Sequence, residues 1–253
     1  MELYKRLKNW HRRVYGFNSY NRDQWVTMCA TRISPGSLVL DVGAGTGRYR
    51  GLFGHCEYRA HDFGLEPSTA YTALNYESDI TEIPVPDGSF DVILCTEVLE
   101  HVSEPIKAVN ELARILKPGG RLLITAPLGS FLHQEPYHFY GGYTPHWYNK
   151  FLVESGFEIE SIEANQAFFS LFAQEAQRFS SYLSPFRSWK SGLIVWFPLS
   201  LLWLLTLPLP RLLPPIAIWL DKLGLDKIAT VGYHVAAVKR RCRSSGKDGL
   251  IGA

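Results

Sequence analysis

Cysteine is scarce in this sequence and is scattered where it occurs. The four cysteines, Cys29, Cys56, Cys95 and Cys242, form no C-x-x-C pair and have no histidine at ligand spacing. This pattern disfavours a disulfide framework and a zinc site, and it favours a reducing compartment. We therefore predict a cytoplasmic protein without a bound metal.

A strong net charge is also missing. The formal charge is only +2, from 26 Lys and Arg against 24 Asp and Glu, so no overall field favours a nucleic-acid partner. The first residues mix charges and contain no apolar segment, so we expect no secretory signal. The sequence also has no internal repeat and no low-complexity segment. Its length suits one large domain or two small ones.

Short apolar runs alternate with helical patterns along most of the chain. LVLDV (38–42) and SFDVILCTEV (89–98) are typical of buried parallel strands, and TVGYHVAAVKRR (230–241) predicts one more strand near the end. Strands that alternate with helices predict an α/β fold with a doubly wound sheet. The predicted parts are an N-terminal helical cap (1–34), a core (35–165 and 230–241) and an apolar helical insertion (166–229).

Two helices of this fold have predicted ends. The glycine-rich turn after the first strand should lead into a helix that ends near Gly54. Ser103 should cap a later helix that has Pro105 in its first turn. The segment KPGG (117–120) should stop that helix before the fifth strand.

The segment LVLDVGAGTGRY joins the first strand to a glycine-rich turn. Gly43, Gly45 and Gly47 follow Asp41 at alternate positions, and glycines let a backbone turn tightly and approach a ligand. A dinucleotide fingerprint, G-x-G-x-x-G, would need a third glycine where this chain has Arg48. The turn therefore suits a nucleotide-like ligand, but a nicotinamide oxidoreductase is disfavoured.

Two further acids follow the next strands of the pattern. Asp62 ends the second strand, where a carboxylate can accept hydrogen bonds from both hydroxyls of a ribose. Asp79 and Ile80 follow the third strand, where they suit the amino group and the ring of an adenine. A lone aspartate at such a place is usually a turn residue or a helix cap. Three acids in order around one glycine turn predict a nucleoside site.

Together these motifs resemble the class I S-adenosylmethionine-dependent methyltransferases, in their small-molecule branch. The resemblance rests on LDVGAGTGRY (40–49), Asp62, SDITEIPVPDGSFDVILCTEVLEHV (78–102) and LKPGGRLLITAP (116–127). It implies S-adenosylmethionine as cofactor and a Rossmann-like sheet of seven strands, the last one antiparallel and inserted between strands five and six. The implied cofactor contacts are Asp41, Gly43 and Gly45, with Gly47 in the same turn, at the methionine part, Asp62 at the ribose, Asp79 and Ile80 at the adenine, and Thr96 and Glu97 beside the methyl group.

Methyl transfer depends mainly on the alignment of donor and acceptor, because the methyl group is already bonded to a sulfonium, which is a good electrophile. If the acceptor is a hydroxyl, a nearby base helps by about 10²–10⁴-fold. The candidates, in order, are His138 and His133 in the loop after strand five, and His101 in EVLEHV. Each such histidine is more often a structural hydrogen-bond partner than a base. Tyr20 is expected to close over the cofactor, as N-terminal helices do in this family.

One long apolar run lies inside the insertion. Residues 191–210 carry no charge and are bounded by Lys190 and Arg211, and about 20 apolar residues can span a bilayer. Internal prolines and the return of the chain to the last strand argue against a single crossing. We expect interfacial helices or a proline-broken hairpin over 186–222; a lid on the protein's own core and a dimer interface are the alternatives. The side chains expected at the membrane are Trp189, Trp196, Trp203, Trp219, Arg187, Lys190 and Arg211.

The sequence thus predicts a methyltransferase that acts at the cytoplasmic face of a membrane. The expected reaction is O-methylation of a small or lipid-linked amphipathic acceptor. The alternative is a non-catalytic S-adenosylmethionine-binding or scaffolding protein, because no obligatory base can be identified. A nucleic-acid substrate is disfavoured by the near-neutral charge. The acceptor, its reacting atom and the oligomeric state stay open.

Overall fold

A computed structural model describes residues 2–64, 72–184, 186, 193–224 and 229–241, with the backbone alone for 193–196. The helices are α1 (Glu2–Tyr15), α2 (Phe17–Ala30), α3 (Pro105–Ile115), α4 (Pro145–Glu154), α5 (Phe168–Tyr182), α6 (Leu193–Thr206) and α7 (Leu209–Asp221). The strands are β1 (Leu38–Val42), β2 (Glu57–Asp62), β3 (Tyr76–Glu77), β4 (Phe90–Thr96), β5 (Leu116–Pro127), β6 (Phe157–Ala164) and β7 (Gly232–Lys239).

The seven strands form one mixed sheet in the order β3-β2-β1-β4-β5-β7-β6. β1 pairs in parallel with β2 and β4, whereas β7 is antiparallel to both β5 and β6. The direction of the strand order reverses between β1 and β4, which opens a crevice at the carboxyl ends of the strands. The predicted Rossmann-like sheet, with an antiparallel last strand inserted before strand six, is confirmed.

Helices cover both faces of the sheet, as β1 illustrates. Val39 packs with Val26 of α2 on one face, whereas Leu40 and Val42 belong to the core under α3 and α4 on the other. Successive side chains of a strand point to opposite faces. Because both faces are buried, the strand is apolar at nearly every position, which is why it was recognisable in the sequence.

The prediction of a helix between the glycine turn and Gly54 is wrong. The chain there forms turns and only a short 3₁₀ helix, Arg50–Phe53. Gly47, Gly51 and Gly54 fall within this stretch, and each glycine in a helix interior costs about 1 kcal/mol relative to alanine. A longer helix is therefore unfavourable here.

Both ends of α3 also differ from the prediction. The N-cap is Glu104 and not Ser103, and no side chain makes a cap hydrogen bond. Pro105 lacks an N–H and disfavours a helical conformation in the residue before it, so α3 begins at the proline itself. The KPGG segment lies inside β5 and does not form a separate stop, because Leu116 already pairs with Phe90 of β4.

The helices α5, α6 and α7 lie between β6 and β7, where the sequence predicts an insertion. Asp221, the last residue of α7, accepts hydrogen bonds from the backbone N–H groups of Ala167, Phe169 and Ser170 at 3.2, 3.0 and 3.1 Å. A carboxylate is favourable at a helix N-terminus. It therefore ties the end of α7 to the start of α5, and the two helices pack against each other.

Most of the apolar side chains that the structure describes in α6 and α7 are exposed. Phe197–Asp221, taken as one helical segment of 25 residues, is long and apolar enough to cross a membrane by length and composition, and only 17% of its apolar window is buried. We call its exposed apolar side chains the apolar face: Phe197, Leu201, Leu202, Leu204, Leu205, Leu209, Leu212, Ile216 and Trp219.

The internal prolines do not end the helices of this segment, although the sequence predicts a proline-broken hairpin as one possibility. Pro198 lies inside α6, Pro214 and Pro215 lie inside α7, and only residues 207–208 separate the two helices. Among the side chains expected at a membrane, Trp219 and Arg211 are exposed and Trp203 is half-buried. Arg187, Trp189, Lys190 and the side chain of Trp196 lie outside the described residues.

Candidate active site

The glycine turn after β1 has a shape that other residues adopt with strain. Gly43 and Gly45 have φ angles of +70° and +49°, in the left-handed region. A Cβ atom on Gly43 would lie 2.3 Å from Cγ2 of Val98. The turn therefore packs closely on the loop after β4, and its backbone borders the crevice between β1 and β4.

Asp62 is held against this turn by both of its carboxylate oxygens. The N–H of Gly45 donates to Oδ2 at 2.8 Å, and the N–H of Phe63 donates to Oδ1 at 2.8 Å. Each carboxylate oxygen has more than one lone pair, so both can still accept a ligand hydroxyl. This geometry suits the predicted recognition of a ribose.

A cavity of about 400 Å³ opens at the carboxyl ends of β1, β2 and β4. This is within the usual range for small-molecule sites, about 300–1,000 Å³. Six predicted cofactor residues and one candidate base lie in its wall. They are Gly43, Gly45, Asp62, Asp79, Ile80, Glu97 and His101, and the remaining wall includes Val42, His61, Phe63, Ser78, Val98, Val102, Ser103, Gln134, Tyr137 and Phe139.

Polar and apolar groups meet at the end of this cavity near β3. Asp79 accepts hydrogen bonds at Oδ1 from the N–H and the hydroxyl of Thr81, at 2.8 and 2.7 Å, which fixes its carboxylate. Ile80 is buried in the wall, and the rings of Phe63 and Tyr137 meet edge to face with centroids 6.0 Å apart. A flat apolar ring with an amino group fits between such groups.

Asp41 does not reach the wall of the cavity as predicted. Its side chain is buried, and the hydroxyl of Tyr58 donates to its Oδ2 at 2.6 Å. Burial raises the pKa of Asp41 to about 7, the hydrogen bond from Tyr58 opposes this rise, and the charge of Asp62 adds to it. Asp41 therefore supports the glycine turn from below, because its side chain points into the protein and not toward the ligand space.

Three other predicted cofactor residues also lie outside the wall. Gly47 faces Thr72, whose Cβ and Oγ1 lie 2.9 Å from the position of an added Cβ. Thr96, the last residue of β4, is half-buried and does not line the cavity. Tyr20 of α2 lines neither the first nor the second cavity.

Glu97 occupies the border between this cavity and a second one. Its Oε2 lies 2.9 Å from a guanidinium nitrogen of Arg22, and its Oε1 accepts a hydrogen bond from the hydroxyl of Thr125 at 2.8 Å. Its φ is +54°, a left-handed conformation that costs about 1–2 kcal/mol for a residue with a side chain. Such strain is concentrated at functional sites.

The second cavity has a volume of about 610 Å³ and combines segments from distant parts of the chain. α2 contributes Asn18, whose side chain is fixed by the buried Asn165 at the end of β6, at 2.8 Å. α5 contributes Gln177, whose buried Nε2 has no hydrogen-bond partner among the described residues. The wall consists of Asn18, Glu97, Glu100, Pro127, Gly129, Ser130, Phe131, Leu132, His133, Gln174, Gln177, Arg178, Ser181, Tyr182 and Val231.

The three candidate histidines form one cluster beside these cavities. The ring of His133 lies 4.8 Å from that of His101 and 4.5 Å from that of His138, between centroids. His101 lines the first cavity and His133 the second. His138, the first candidate from the sequence, lines neither, and its Nε2 lies 2.9 Å from the hydroxyl of Ser130. The structure therefore brings the three together but gives His101 and His133 the direct access.

Hydrogen bonds fix the rings of two of these histidines. Nδ1 of His101 lies 2.7 Å from the carbonyl oxygen of Tyr137, and Nδ1 of His133 lies 2.8 Å from that of Phe131. A carbonyl oxygen can only accept, so each Nδ1 carries the proton and each neutral ring keeps a lone pair on Nε2. Burial lowers the pKa of His101, which favours its neutral form.

Glu100 is the buried carboxylate of this region. Its side chain is 2% exposed, and Oε2 has no hydrogen-bond partner among the described residues. Burial raises the pKa of Glu100, and the nearby charge of Glu97 raises it further. Its carbonyl oxygen accepts hydrogen bonds from the N–H groups of Phe139 and Tyr140 at 2.9 and 3.2 Å, which holds the histidine-bearing loop over the site.

Sequence reasoning missed several groups that shape the site. Arg22, which pairs with Glu97, and Arg178, which lines the second cavity, lie on helices far from every recognised motif. Phe63 and Tyr137 form the apolar wall. Phe63 directly follows Asp62 and Tyr137 directly precedes His138, so each lies beside a predicted site residue. The positions of Arg22 and Arg178 depend on tertiary packing.

Comparisons with known proteins identify a methyltransferase domain in this chain. Residues 40–124 match a family model described as a methyltransferase domain. The chain is 35% identical over 135 residues to an uncharacterized methyltransferase of Mycobacterium sp. (strain JLS), an alignment that covers 47% of this chain and 52% of the relative. It is 34% identical over 110 residues to the ubiquinone/menaquinone biosynthesis C-methyltransferase UbiE of Vibrio vulnificus (strain YJ016), covering 36% of this chain and 41% of that protein. The chain thus spans about half the length of these curated relatives or less.

A solved structure with a bound cofactor has a similar fold. It is phosphoethanolamine N-methyltransferase 2 of Haemonchus contortus in complex with S-adenosyl-L-methionine, with a TM-score of 0.52 and 17% identity, covering 87% of this chain and 53% of that one. The matched residues 40–124 contain the glycine turn, Asp62, Asp79 and Glu97. The chain therefore contains a class I S-adenosylmethionine-dependent methyltransferase domain, with S-adenosylmethionine as its cofactor.

Proposed function

We propose that this chain transfers the methyl group of S-adenosylmethionine to an oxygen atom of a lipid-linked or lipid-like acceptor at the cytoplasmic face of a membrane. The observation that carries the proposal is the border between the two cavities, which share Glu97 as a wall residue. A donor in the first cavity and an acceptor in the second would meet there. In-line transfer needs this side-by-side arrangement, and good alignment alone is worth up to about 7–11 kcal/mol.

The residues of the first cavity have distinct tasks in this proposal. Asp62 accepts hydrogen bonds from the ribose hydroxyls, and Asp79 with Ile80 holds the adenine. Glu97, fixed by Arg22 and Thr125, places a negative charge at the border between the cavities. When bound, S-adenosylmethionine supplies a methyl group on a sulfonium, whose positive charge suits this carboxylate.

We place the proton transfer at the histidine cluster, His101, His133 and His138. An acceptor hydroxyl forms the new bond to the methyl carbon while the bond between that carbon and the sulfonium breaks. The hydroxyl proton must leave in the same step or before it. His133 lines the second cavity and presents a lone pair at Nε2, so it is the nearest group to accept that proton.

The second cavity favours an acceptor with a polar head and an apolar tail. Its inner wall offers Glu100, Ser130, Gln177 and Arg178 for hydrogen bonds and charge pairing. Near the surface, Phe131 and Leu132 are apolar and exposed. Because α5 forms part of this wall and packs against α7, the cavity lies next to the helices that carry the apolar face.

The apolar face supports contact with lipid. Leu205 and Trp219 are 70% and 60% exposed, and contiguous apolar patches of this kind need a partner or a membrane to cover them. Asp221 ties the end of α7 to the start of α5. We therefore propose that the segment lies on the membrane surface, since a crossing would pull α7 away from α5.

α1 adds a second exposed apolar surface beside the apolar face. Leu3, Leu7 and Trp10 form an exposed apolar stripe at helical spacing, with Leu3 at 71% and Trp10 at 52% exposure. α1 packs against α7, and the hydroxyl of Tyr15 donates to the carbonyl oxygen of Arg211 at 3.0 Å. Basic side chains cover the rest of α1, as in helices that bind anionic lipid surfaces: Lys5, Arg6, Lys8, Arg12 and Arg13.

Radiolabelled methyl transfer tests the reaction. The full chain, S-adenosyl-[methyl-³H]methionine and total lipid extract are incubated, and we expect label in an organic-soluble product that resists alkali, as a methyl ether does. The Asp62→Asn variant is the matched control and should transfer little. Label confined to water-soluble products, or equal labelling by the variant, would contradict the proposal.

Vesicle co-sedimentation tests the membrane contact. Full-length protein should sediment with vesicles of phosphatidylglycerol and phosphatidylcholine, and the double variant Leu205→Asp, Trp219→Asp should stay in solution. Ile106→Asp is the matched control, because Ile106 is an exposed apolar residue on α3, away from α6 and α7. Equal sedimentation of all three proteins would mean that the apolar face does not meet lipid, and a lid or a dimer interface would then replace this part of the proposal.

A second candidate reaction is methylation of a ring carbon. It is favoured by the similarity to the UbiE proteins, which are named C-methyltransferases. The product of the labelling experiment separates the two reactions, because a methyl ether is cleaved by boron tribromide and releases its label, whereas a C-methyl group retains it.

A further inference from the structure

Glu100, His101 and His133 come together at the border between the two cavities. Each residue offers one ligand atom, and these atoms all lie within 4.8 Å of one another. Glu100 and His133 line the second cavity and His101 lines the first. An ion at this point would therefore touch both spaces, although the sequence predicted no metal site.

The backbone prepares the two histidines as ligands. Each donates its Nδ1 proton to a carbonyl oxygen, His101 to that of Tyr137 and His133 to that of Phe131. Histidines that bind metals almost always make such a bond through the second ring nitrogen, which orients the ring and directs the Nε2 lone pair at the ion. Two rings with this same arrangement face one small volume.

Glu100 supplies an independent observation. Its Oε1 lies 3.9 Å from Nε2 of His101, and its Oε2 has no hydrogen-bond partner among the described residues although the side chain is 98% buried. In the neutral tautomer, that nitrogen and the carboxylate both present lone pairs to each other. A buried carboxylate without a partner is unfavourable, and a cation between the two groups would satisfy both.

We propose that Glu100, His101 and His133 bind a divalent transition-metal ion. Two imidazoles and one carboxylate are the ligand set of Zn²⁺, Mn²⁺, Fe²⁺ or Co²⁺ rather than of Mg²⁺ or Ca²⁺, which prefer oxygen. Three protein ligands leave coordination positions open for water or substrate. Because His133 is exposed, its side chain has room to move toward the other two ligands when an ion binds.

This inference deepens the proposed function and, in its chemical role, rests on it. The acceptor oxygen would take an open position on the ion, which lowers the pKa of its hydroxyl. The proton then passes to water at the exposed side of His133, the acceptor oxygen forms the bond to the methyl carbon, and the bond from that carbon to the sulfonium breaks. With the ion bound, His101 and His133 act as ligands and not as bases.

Cobalt absorption tests the site without any methyl acceptor. Full-length protein, stripped with EDTA and dialysed, is titrated with CoCl₂ and followed between 500 and 650 nm, with Zn²⁺ added afterwards as a competitor. We expect one equivalent of Co²⁺ with d–d bands typical of four or five ligands, and displacement by one equivalent of Zn²⁺. Binding of Co²⁺ only at millimolar concentration, or no d–d bands, would overturn the proposal.

Three variants locate the ion. Glu100→Gln keeps the shape of the side chain and His133→Asn changes an exposed residue, so at least the second should fold, as circular dichroism will show. Each should weaken Co²⁺ binding by at least about 10–100-fold. The matched control is His146→Asn, because His146 is an exposed histidine on α4, outside the cluster. Equal loss in the control, or no loss in His133→Asn, would place the ion elsewhere and refute the assignment.

The outcome is separable from that of the proposed function. Co²⁺ binding with no labelling of lipid would refute the proposed acceptor and leave the metal site intact. Labelling of lipid that is unchanged after EDTA, together with the absence of d–d bands, would refute the metal site and leave the methyltransferase proposal intact.

Discussion

The two cavities of this protein are built in opposite ways. Backbone and short polar side chains at the ends of neighbouring strands form much of the first cavity, and most of its wall comes from residues 42–103. Residues from five separate parts of the chain, from Asn18 to Val231, form the second. The cofactor site therefore depends on local backbone geometry, whereas the second cavity depends on tertiary packing.

This difference bears on how each cavity can change. The first uses positive φ angles and close backbone contacts, so few substitutions preserve it. The second is shaped by side chains of α2, α5 and the loop after β5, which can vary without breaking the sheet. One sheet can thus keep the same cofactor while the acceptor changes.

The largest expected effect comes from the glycine turn, in Gly43→Ala. A side chain there meets both a φ of +70° and Cγ2 of Val98 at 2.3 Å, so we expect no measurable cofactor binding by isothermal calorimetry. Gly36→Ala is the matched control: its φ is +77°, but no atom lies within 4 Å of the added Cβ. Gly36→Ala should lower the free energy of unfolding by only about 1–2 kcal/mol, and the variant should bind the cofactor normally.

Asp62→Asn should have the next largest effect. The variant keeps the shape of the side chain but loses the charge that strengthens hydrogen bonds to the ribose, each worth about 1.5–3 kcal/mol. We expect the Kd for S-adenosylmethionine to rise by about 10–100-fold in the same assay. Glu154→Gln, an exposed carboxyl variant on α4, serves as the control; a loss equal to that of Asp62→Asn would contradict a specific role for Asp62.

A smaller and more selective effect is expected for Arg178→Gln in the second cavity. Arg178 lines only this cavity and pairs with Glu175 at 2.9 Å. If the two cavities hold different molecules, the variant should raise the KM for the acceptor by about tenfold and leave the Kd for the cofactor unchanged. A tenfold change corresponds to a loss of about 1.4 kcal/mol of binding free energy. A parallel change in both constants would mean that the cavities are not independent.

The sequence predicted the sheet, its order of elements and most of the first cavity, for a physical reason. Asp62, Asp79 and the glycines lie at the ends of strands or within a few residues of them, where short-range pattern and chemistry coincide. It misplaced Asp41 and Thr96, because strand alternation decides which way a side chain points and the motif alone does not. It also preferred His138 over His133, since only the fold of the loop determines which ring reaches a cavity.

The second cavity could not be predicted, because its members share no local pattern. Arg22 reaches Glu97 from α2, and Gln177 and Arg178 arrive from α5, which the sequence assigned to an apolar insertion. The apolar face was visible as a long uncharged run, but the exposed stripe of α1 beside it depends on packing against α7.

The smallest effect on methyl transfer is expected for Asp41→Asn, because Asp41 is buried beneath the glycine turn and does not line the first cavity. Burial raises the pKa of its carboxyl to about 7 in the folded protein, whereas an unfolded aspartate ionises near 3.9. The unfolded state therefore loses this proton first, and the contribution of Asp41 to stability falls as the pH rises from about 4 to about 7, then levels off. An asparagine accepts the hydrogen bond from Tyr58 and does not ionise, so Asp41→Asn should escape this decline.

Thermal unfolding at pH 5, 6, 7 and 8, without cofactor, measures this difference. The melting temperature of Asp41→Asn relative to that of the native protein should rise with pH up to about 7 and stay constant above that pH. The expected shift is roughly 2–4 °C for each kcal/mol of difference in the free energy of unfolding. Asp87→Asn provides the control, because Asp87 is exposed beside Arg114 and lacks the burial that raises the pKa of Asp41. A constant difference between the two proteins across this range would mean that the Asp41 carboxyl of the folded native protein is already ionised at pH 5.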